Sequence, residues 1–214
     1  MRRTAAEMLD ATTLAALAGS LREGGVIAYP TDTAYGLGVD PSNRAAVERL
    51  FELKGRAADK PILLLVDSMA MARSLARPNP AFERVAAAFW PGPITLVTWA
   101  GADLSAGITA GTGTVGLRWP DAPLPLEIVR TFGGPLTATS ANRSGSPIAR
   151  TASEILEQLG GGLDWIIDGG PIRNRRPSTV LDLTREPAAL LREGPISYEA
   201  LADHLDGRLR RLSS

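Results

Sequence analysis

Apolar positions along the chain follow two spacings, one typical of helices and the other of buried strands. Val47 and Leu50 belong to a pattern at the interval of one helix face, and Ser42 or Asn43 can cap that helix. The run PILLLV that follows is continuously apolar and predicts a buried strand. The same criteria predict further helices at 10–21, 69–75, 81–90, 152–159 and 198–209. They predict further strands at 26–30, 94–100, 114–119, 135–140, 164–168, 178–183 and 188–193.

The order of these elements indicates the fold class. Helices and strands alternate along the whole chain, which is typical of an α/β fold with one mixed, twisted sheet and helices packed around it. No Pro/Gly-rich linker divides the chain into two parts that each carry enough apolar residues for a core. We therefore expect a single domain over residues 1–214, with its core at about 12–205.

Composition narrows the possible functions mainly by exclusion. The 214 residues include no cysteine, which excludes disulfides, thiolate metal sites and cysteine nucleophiles. Because 23 basic residues balance 23 acidic ones, any affinity for nucleic acid must come from a local patch. No apolar run is long enough to cross a bilayer, and the start MRRTAAEMLD lacks the apolar core of a secretory signal. A cytoplasmic location without membrane association is the resulting expectation.

Common catalytic motifs are absent from the sequence, and its histidine and tryptophans are predicted to be structural. None of the patterns GxxxxGKS/T, GxGxxG, HExxH and GxSxG occurs. His204 lies in a helical stretch without an obvious partner, which favours a solvated or helix-end role over catalysis. The tryptophans are spaced like core residues, with base stacking as the alternative role. They are Trp90, Trp99, Trp119 and Trp165.

Three cations lie together between the first amphipathic pattern and the strand PILLLV. Lys54, Arg56 and Lys60 occur in the segment KGRAADK, a position where edge loops of α/β sheets hold ligands. Arg56 can grip a phosphate with its planar guanidinium, while the two lysines would act as mobile point charges. This combination suits a triphosphate, and a solvated basic turn is the alternative.

Two loops that follow predicted strands are rich in hydroxyl and amide groups. PTDTAYG contains Thr33, and TATSANRSG contains Ser140 and Asn142. Small hydroxyls beside backbone amides can hold a small polar ligand or a phosphate. Ordinary Asx or ST turns have the same composition and are the alternative interpretation.

Two arginines interrupt apolar strands. Arg118 in TVGLRW needs a partner, because a charge inside an apolar strand is costly to bury. Either it pairs with a buried acid, or it receives an anionic ligand such as an amino-acid carboxylate. Arg192 in AALLREG raises the same question near the last predicted strand.

Seven segments, in order along nearly the whole chain, carry a resemblance to a known family. They are GGVIAYPTDTAYGLG, LFELKGRAADKPILLLV, FWPGPITLV, TVGLRWP, TSANRSG, PSTVLDL and LLREG. In this order they resemble the YrdC-like family, whose enzymatic members are threonylcarbamoyl-AMP synthases. The resemblance implies a curved α/β fold with an open, positively lined cavity on one face of the twisted sheet.

The resemblance also implies which residues bind the substrates. Threonine would be held by Thr33, Arg118, Ser178 and the backbone at Ala138, with Arg118 on the carboxylate. ATP would be held by Arg56, Lys60, Thr114, Ser140, Asn142 and Arg192. Lys54 and Arg56 form the family's KxR signature and are the expected catalytic residues. No protein ligands for a metal are predicted, and magnesium would accompany ATP.

The sequence departs from the family pattern at two positions. Leu65 stands where many members carry histidine in the strand after KxR, and Ile148 stands where many carry serine after SANxSG. Longer members append a second domain after a linker, and this chain is expected to be the short, single-domain form.

The activity implied by the resemblance needs no enzyme nucleophile. The amine of threonine captures bicarbonate or carbon dioxide as a carbamate, which attacks the α-phosphorus of ATP and expels pyrophosphate. Lys54, Arg56, Lys60 and magnesium would align the substrates and stabilise charge. The adenylate would then pass to a tRNA threonylcarbamoyl-transferase complex, which completes the modification of an adenosine beside the anticodon.

Three alternatives stay open. A module that binds double-stranded RNA without catalysis would use a concave basic face, which Arg173, Arg175 and Arg176 could extend. A carbamoyl-transferase role occurs in related domains of larger maturation proteins. A related subfamily of unclear activity lacks the paired KxR and SxN signatures, and their retention here argues against it.

Overall fold

The computed structural model describes residues 1–56, 61–172 and 176–211 of the chain. Its α-helices are α1 (Ala11–Arg22), α2 (Arg44–Lys54), α3 (Met69–Leu75), α4 (Pro80–Phe89), α5 (Ala106–Thr109), α6 (Pro123–Phe132), α7 (Ala152–Leu159) and α8 (Tyr198–His204). Asn43, not Ser42, caps α2, because its Oδ1 accepts a hydrogen bond from the backbone N–H of Ala46 at 3.1 Å. No helix within the described ranges combines the length and the apolar content needed to cross a bilayer.

The described strands form two sheets, whereas the sequence predicted one. The strands are β1 (Arg2–Ala5), β2 (Ile27–Pro30), β3 (Tyr35–Gly38), β4 (Leu64–Leu65), β5 (Ala76–Arg77), β6 (Ile94–Ala100), β7 (Thr114–Arg118), β8 (Leu136–Thr137), β9 (Thr139–Ser140), β10 (Trp165–Asp168), β11 (Thr179–Asp182), β12 (Ala188–Arg192) and β13 (Leu209–Arg211). The smaller sheet has the order β1-β10-β2-β3-β9. The larger has the order β13-β12-β11-β6-β7-β4-β8, with β5 paired to β6. Both contain parallel and antiparallel neighbours, so the α/β class with mixed pairing is confirmed.

The predicted strand at 135–140 accounts for the difference in sheet number. Its first half is β8, which pairs with β4 in the larger sheet, and its second half is β9, which pairs with β3 in the smaller one. Ala138 lies between them, and its N–H donates to the carbonyl of Leu63 at 2.9 Å. An alternating pattern does not mark the point where a chain changes sheets, so this crossing could not be predicted.

The C-terminal helix is shorter than predicted. The pattern at 198–209 predicts one helix, but α8 ends at His204 and β13 begins at Leu209. Asp206 and Gly207 have φ angles of 53° and 72°, in the left-handed region that a right-handed helix cannot continue through.

Some elements are absent from the sequence-based prediction. The helix α6 was not predicted; it begins with Pro123 and has a second proline at Pro125. Prolines fit the first turn of a helix, because the N–H groups there have no partner within the helix. β3 lies in a segment predicted as a loop, and the short elements β1, β5 and α5 have too few residues for a clear pattern.

Hydrophobic clusters hold the sheets and helices together. One cluster packs α1 and α6 against the smaller sheet and includes the fully buried Leu17, Tyr29 and Ile128. The other contains residues of both sheets, such as Leu37 and Leu96. The two sheets therefore share one contiguous packed interior, which fixes the position of the residues between them.

The ring side chains largely follow the prediction. Trp90 and Trp165 are buried, whereas the core role predicted for Trp99 is wrong, since 44% of this residue is exposed at the end of β6. His204 is the last residue of α8, and its Nδ1 lies 2.9 Å from the carbonyl oxygen of Ala200. The helix-end role predicted for His204 is confirmed.

Candidate active site

One face of the larger sheet forms the floor of a cavity of about 460 Å³. Side chains alternate between the two faces of a strand, so every second residue of β6, β7 and β11 points toward the cavity. The floor residues are Thr95, Val97, Thr114, Gly116, Arg118, Ser178, Val180 and Asp182. The walls include residues 33–36, Arg56, 61–63 and 138–140. Residues of both sheets therefore line the same cavity.

Most of the site residues expected from the sequence meet in this cavity. The lining includes Thr33, Arg56, Thr114, Arg118, Ala138, Ser140, Ser178 and Arg192. Lys54 and Asn142 are not among the lining residues, and Lys60 lies outside the described residues. Leu65 and Ile148, the two departures from the family pattern, both line the cavity.

Arg118 stands on the cavity floor with 6% of its surface exposed. Its Nη2 donates to Oδ1 of Asp32 at 2.6 Å, its Nη1 to Oγ1 of Thr33 at 2.6 Å, and its Nε to the carbonyl of Gly92 at 3.4 Å. Burial lowers the pKa of Arg118, and the charge of Asp32 opposes that shift. The pairing with an acid, one of the two sequence-based alternatives, is present. Within the described chain, these contacts use three of the five guanidinium N–H groups.

Arg192 is held beside Ser178. Its Nε donates to the Ser178 carbonyl at 2.9 Å, and its Nη2 donates to the Ser178 hydroxyl at 3.1 Å. Burial lowers the pKa of Arg192, and the positive charge of Arg118 acts in the same direction. Two guanidinium groups close enough to affect each other make this part of the cavity favourable for an anionic ligand.

Arg56 lines the cavity near the crossing between the sheets. Its Nη2 donates to the carbonyl of Pro61 at 2.8 Å, and its Nη1 lies 3.4 Å from Oγ1 of Thr139. These contacts orient the guanidinium toward the loop that contains Ser140, another expected ATP ligand.

Lys54 is buried and hydrogen-bonded, whereas the sequence predicted a mobile point charge. It is 3% exposed, and its Nζ donates to the carbonyl of Asn142 at 2.7 Å and to that of Ser140. Burial lowers the pKa of Lys54 to about 8, with a smaller contribution from the charge of Arg56. The reason is local: Lys54 ends α2 on the buried side of that helix.

The loop after β9 is hydrogen-bonded to the same lysine. The N–H of Ser144 donates to the Lys54 carbonyl at 2.8 Å. Nδ2 of Asn142 donates to the carbonyls of Arg143 and Ser146 at 2.9 and 2.8 Å. We call Lys54, Ser140, Asn142 and Ser144 the Lys54 cluster. It brings residues of the KxR and SxN signatures together; Arg56 and Ser140 line the cavity, whereas Lys54 and Asn142 do not.

Two residues at the site were not predicted. Asp32 is the partner of Arg118, and Thr95 lies on the cavity floor with 2% of its surface exposed. Thr95 and Thr98 both interrupt the apolar run ITLVTWA, so the sequence does not show which of them faces the cavity. Asp32 lies in the PTDTAYG loop, but nothing in that loop indicates which group its carboxylate contacts.

The described residues do not fit a resident metal ion. No three aspartate, glutamate, histidine or cysteine side chains lie together in the described ranges. Asp182 lines the cavity, but its Oδ1 accepts from the N–H of Thr184 at 2.9 Å and its Oδ2 from Nε of Arg185 at 2.8 Å.

The fold and the cavity define a mixed α/β protein whose cavity is lined by Arg56, Arg118 and Arg192. The model of the Sua5/YciO/YrdC family, described as telomere recombination, matches residues 19–194. This chain belongs to the Sua5/YciO/YrdC family, as the resemblance in its sequence predicted.

Individual relatives agree with this membership. A threonylcarbamoyl-AMP synthase of Pyrococcus abyssi is 40% identical over 185 residues, which cover 86% of this chain and 54% of that protein. A putative threonylcarbamoyl-AMP synthase of Mycobacterium tuberculosis is 37% identical over 189 residues, covering 87% and 86%. The crystal structure of P. abyssi Sua5 complexed with L-threonine matches with a TM-score of 0.91 at 37% identity, covering 98% of this chain and 62% of that one. The chain thus spans little more than half of the P. abyssi relative.

Proposed function

We propose that this chain is an enzyme that forms threonylcarbamoyl-adenylate and pyrophosphate from L-threonine, bicarbonate and ATP. The observation that carries the proposal is that eight residues expected for these substrates line a single cavity. The relatives named threonylcarbamoyl-AMP synthase and the L-threonine complex of P. abyssi Sua5 support it. We also propose that residues 1–214 act in this reaction as one domain.

Threonine is assigned to the part of the cavity around Arg118. The two remaining N–H groups of this guanidinium suit a carboxylate, which accepts paired hydrogen bonds from arginine. Thr33 and Ser178 supply hydroxyls nearby. The N–H of Ala138 is already donated to Leu63, so the carbonyl of Ala138 is the backbone group suited to the amine.

ATP is assigned to Arg56, Arg192, Thr114 and Ser140, with Lys60 and Asn142 as further expected contacts. Arg56 and Arg192 would lie along the phosphates, because buried cations interact strongly with an anion when water is excluded. Lys54 would act on this site by holding the carbonyl of Ser140.

The chemistry requires alignment and charge stabilisation. Bicarbonate and the amine of threonine condense to a carbamate and water, and a carbamate oxygen then attacks the α-phosphorus of ATP. The bond from the α-phosphorus to the bridging oxygen breaks, and pyrophosphate leaves with the negative charge. Arg56 and Arg192 would stabilise charge that develops on the phosphates in this step.

Magnesium belongs in this proposal as part of the nucleotide substrate. The cavity supplies no cluster of protein carboxylates within the described ranges, so ATP phosphates and water would be its ligands. The product is a mixed anhydride, which reacts readily with water. We therefore propose that a tRNA-modifying transferase takes it from this chain.

The test is to incubate the purified chain with threonine, bicarbonate, ATP and magnesium. We expect pyrophosphate release that needs both threonine and bicarbonate, and a mass matching the mixed anhydride. Pyrophosphate release that is indifferent to threonine would overturn the proposal. Replacing threonine with carbamoyl phosphate tests the carbamoyl-transferase alternative in the same assay.

Double-stranded RNA binding without catalysis remains a prediction from the sequence. Arg173 and Arg175 lie outside the described residues, and Arg176 is exposed. A chain that binds RNA but releases no pyrophosphate with the complete substrate mixture would favour this alternative.

A further inference from the structure

Two buried hydroxyls on the cavity floor form a pair. Oγ1 of Thr95 lies 3.1 Å from Oγ of Ser178, and the residues are 2% and 3% exposed. β6 and β11 run parallel, and the register that pairs Val180 with Thr95 brings the two hydroxyls to the same face. Arg192 donates to the Ser178 hydroxyl from the other side.

Counting donors and acceptors shows what this pair can offer a ligand. Each hydroxyl has one proton and two lone pairs. Ser178 already accepts from Arg192, and one proton of the pair is used in the Thr95–Ser178 hydrogen bond. Within the described residues neither hydroxyl has another side-chain or backbone partner. One O–H therefore remains to be donated, whichever direction the shared hydrogen bond takes.

The unused donor lies close to Arg118. β6 and β7 are antiparallel, with Leu96 opposite Leu117, so the next position in this register sets Thr95 beside Arg118. Directly opposite residues on one face of a sheet have Cβ atoms about 5 Å apart. This separation is on the scale of a single amino acid.

We propose that Thr95 is a positioning residue of the amino-acid subsite. It fixes the hydroxyl of Ser178 so that the pair presents one O–H to an oxygen of the amino acid, while Arg118 holds the carboxylate. An ammonium group cannot accept this hydrogen bond, so the amine is directed away from the pair. The inference rests on the proposed function and adds Thr95 to the expected threonine site.

The test compares three variants on the same strand by the KM for threonine and kcat in the pyrophosphate assay. Thr95→Val removes the hydroxyl, and we expect the KM for threonine to rise about tenfold with a smaller change in kcat. Thr95→Ser keeps the hydroxyl and should stay within about twofold of the wild-type KM. Thr98→Val is the matched control, because Thr98 is buried on the opposite face, where its hydroxyl donates to the Arg77 carbonyl at 3.3 Å.

A double variant separates positioning from a general loss of packing. If Thr95 acts through Ser178, adding Thr95→Val to Ser178→Ala should raise the KM by less than about twofold. Full additivity of the two effects would overturn the inference, as would a Thr95→Val enzyme with wild-type KM. An equal rise of the KM in Thr98→Val would also overturn it. A wild-type chain that neither turns over nor binds threonine overturns the proposed function itself, and this inference with it.

Discussion

The cavity floor and the Lys54 cluster use similar residues in opposite ways. On the floor, Arg118 keeps N–H groups that the described chain does not use, and Thr95 and Ser178 retain a donor. In the Lys54 cluster, two of the three ammonium N–H groups are donated to backbone carbonyls, and the N–H of Ser144 returns to the carbonyl of Lys54. The floor groups border the cavity, whereas the ammonium of Lys54 is directed at the backbone and holds the loop in place.

This difference changes how the KxR signature is understood. Lys54 and Arg56 are two residues apart, yet only Arg56 lines the cavity. Lys54 instead fixes the carbonyl of Ser140, whose side chain does line it. A cluster of cations in a sequence can therefore combine a ligand contact with a structural support.

The largest effect is expected from Lys54→Ala. Removing the ammonium leaves two buried carbonyls without their donor, at about 1–3 kcal/mol each. We expect the free energy of unfolding in urea to fall by roughly 3 kcal/mol or more, and pyrophosphate release to reach background. Arg44→Ala on the same helix is the control, because that side chain is 90% exposed in its pair with Glu48. A Lys54→Ala variant with full stability and no turnover would instead make Lys54 a catalytic group.

The next effect concerns Arg118. In Arg118→Ala the KM for threonine should rise about 100-fold while the KM for ATP stays nearly constant, because a charged hydrogen-bond partner is lost. The variant also removes the ion pair between Arg118 and Asp32, which should lower the free energy of unfolding. The double variant D32N/R118A should recover stability without recovering the KM. An equal loss of both substrates would contradict the assignment of Arg118 to threonine.

A smaller effect is expected from adding a methyl group at Gly116, a position of the cavity floor that has no side chain. A Cβ at Gly116 would lie 3.3 Å from Cγ2 of Thr95 and 3.4 Å from Cβ of Leu63. Gly116→Ala should therefore raise the KM for threonine several-fold, with less than about 1 kcal/mol of lost stability. Gly19→Ala is the control, since a Cβ there meets nothing within 4 Å. An unchanged KM in Gly116→Ala would show that the ligand does not reach this part of the floor.

The smallest effect is the pH dependence of stability that Lys54 contributes. Its pKa of about 8 in the folded chain lies below the ordinary 10.5, so the unfolded chain binds more protons between these values. The penalty for burying the ammonium is complete below pH 8 and is relieved as pH rises above it. From pH 7.5 to 9 the free energy of unfolding should increase by about 1 kcal/mol from this group. Denaturant titrations should show a smaller increase in Lys54→Met, and equal slopes would contradict the assignment.

Much of the fold could be predicted because hydrophobic spacing reports burial directly. The predicted strand at 94–100 and the helices at 69–75 and 152–159 have the observed bounds. The change of sheet at Ala138 could not be predicted, because it depends on which distant strands β8 and β9 meet.

Site residues could be predicted from the sequence where a charged residue lies in an otherwise apolar strand. Arg118 is conspicuous in an apolar strand, whereas Thr95 and Thr98 interrupt theirs equally and only Thr95 lines the cavity. The burial of Lys54 was also present in the pattern, since Val47, Leu50 and Lys54 lie at intervals of three and four along one helix face. Because Lys54 lies in the basic segment KGRAADK, it was predicted to be a mobile charge, although this spacing indicated burial.

Because the chain crosses from one sheet to the other at Ala138, residues of both sheets line the cavity. Thr139 and Ser140 on one side belong to the smaller sheet, and Thr95 and Arg118 belong to the larger. A molecule seated between them touches both layers at once. A bound ligand would therefore connect the two sheets, and the free energy of unfolding should be higher with the ligand bound than without it.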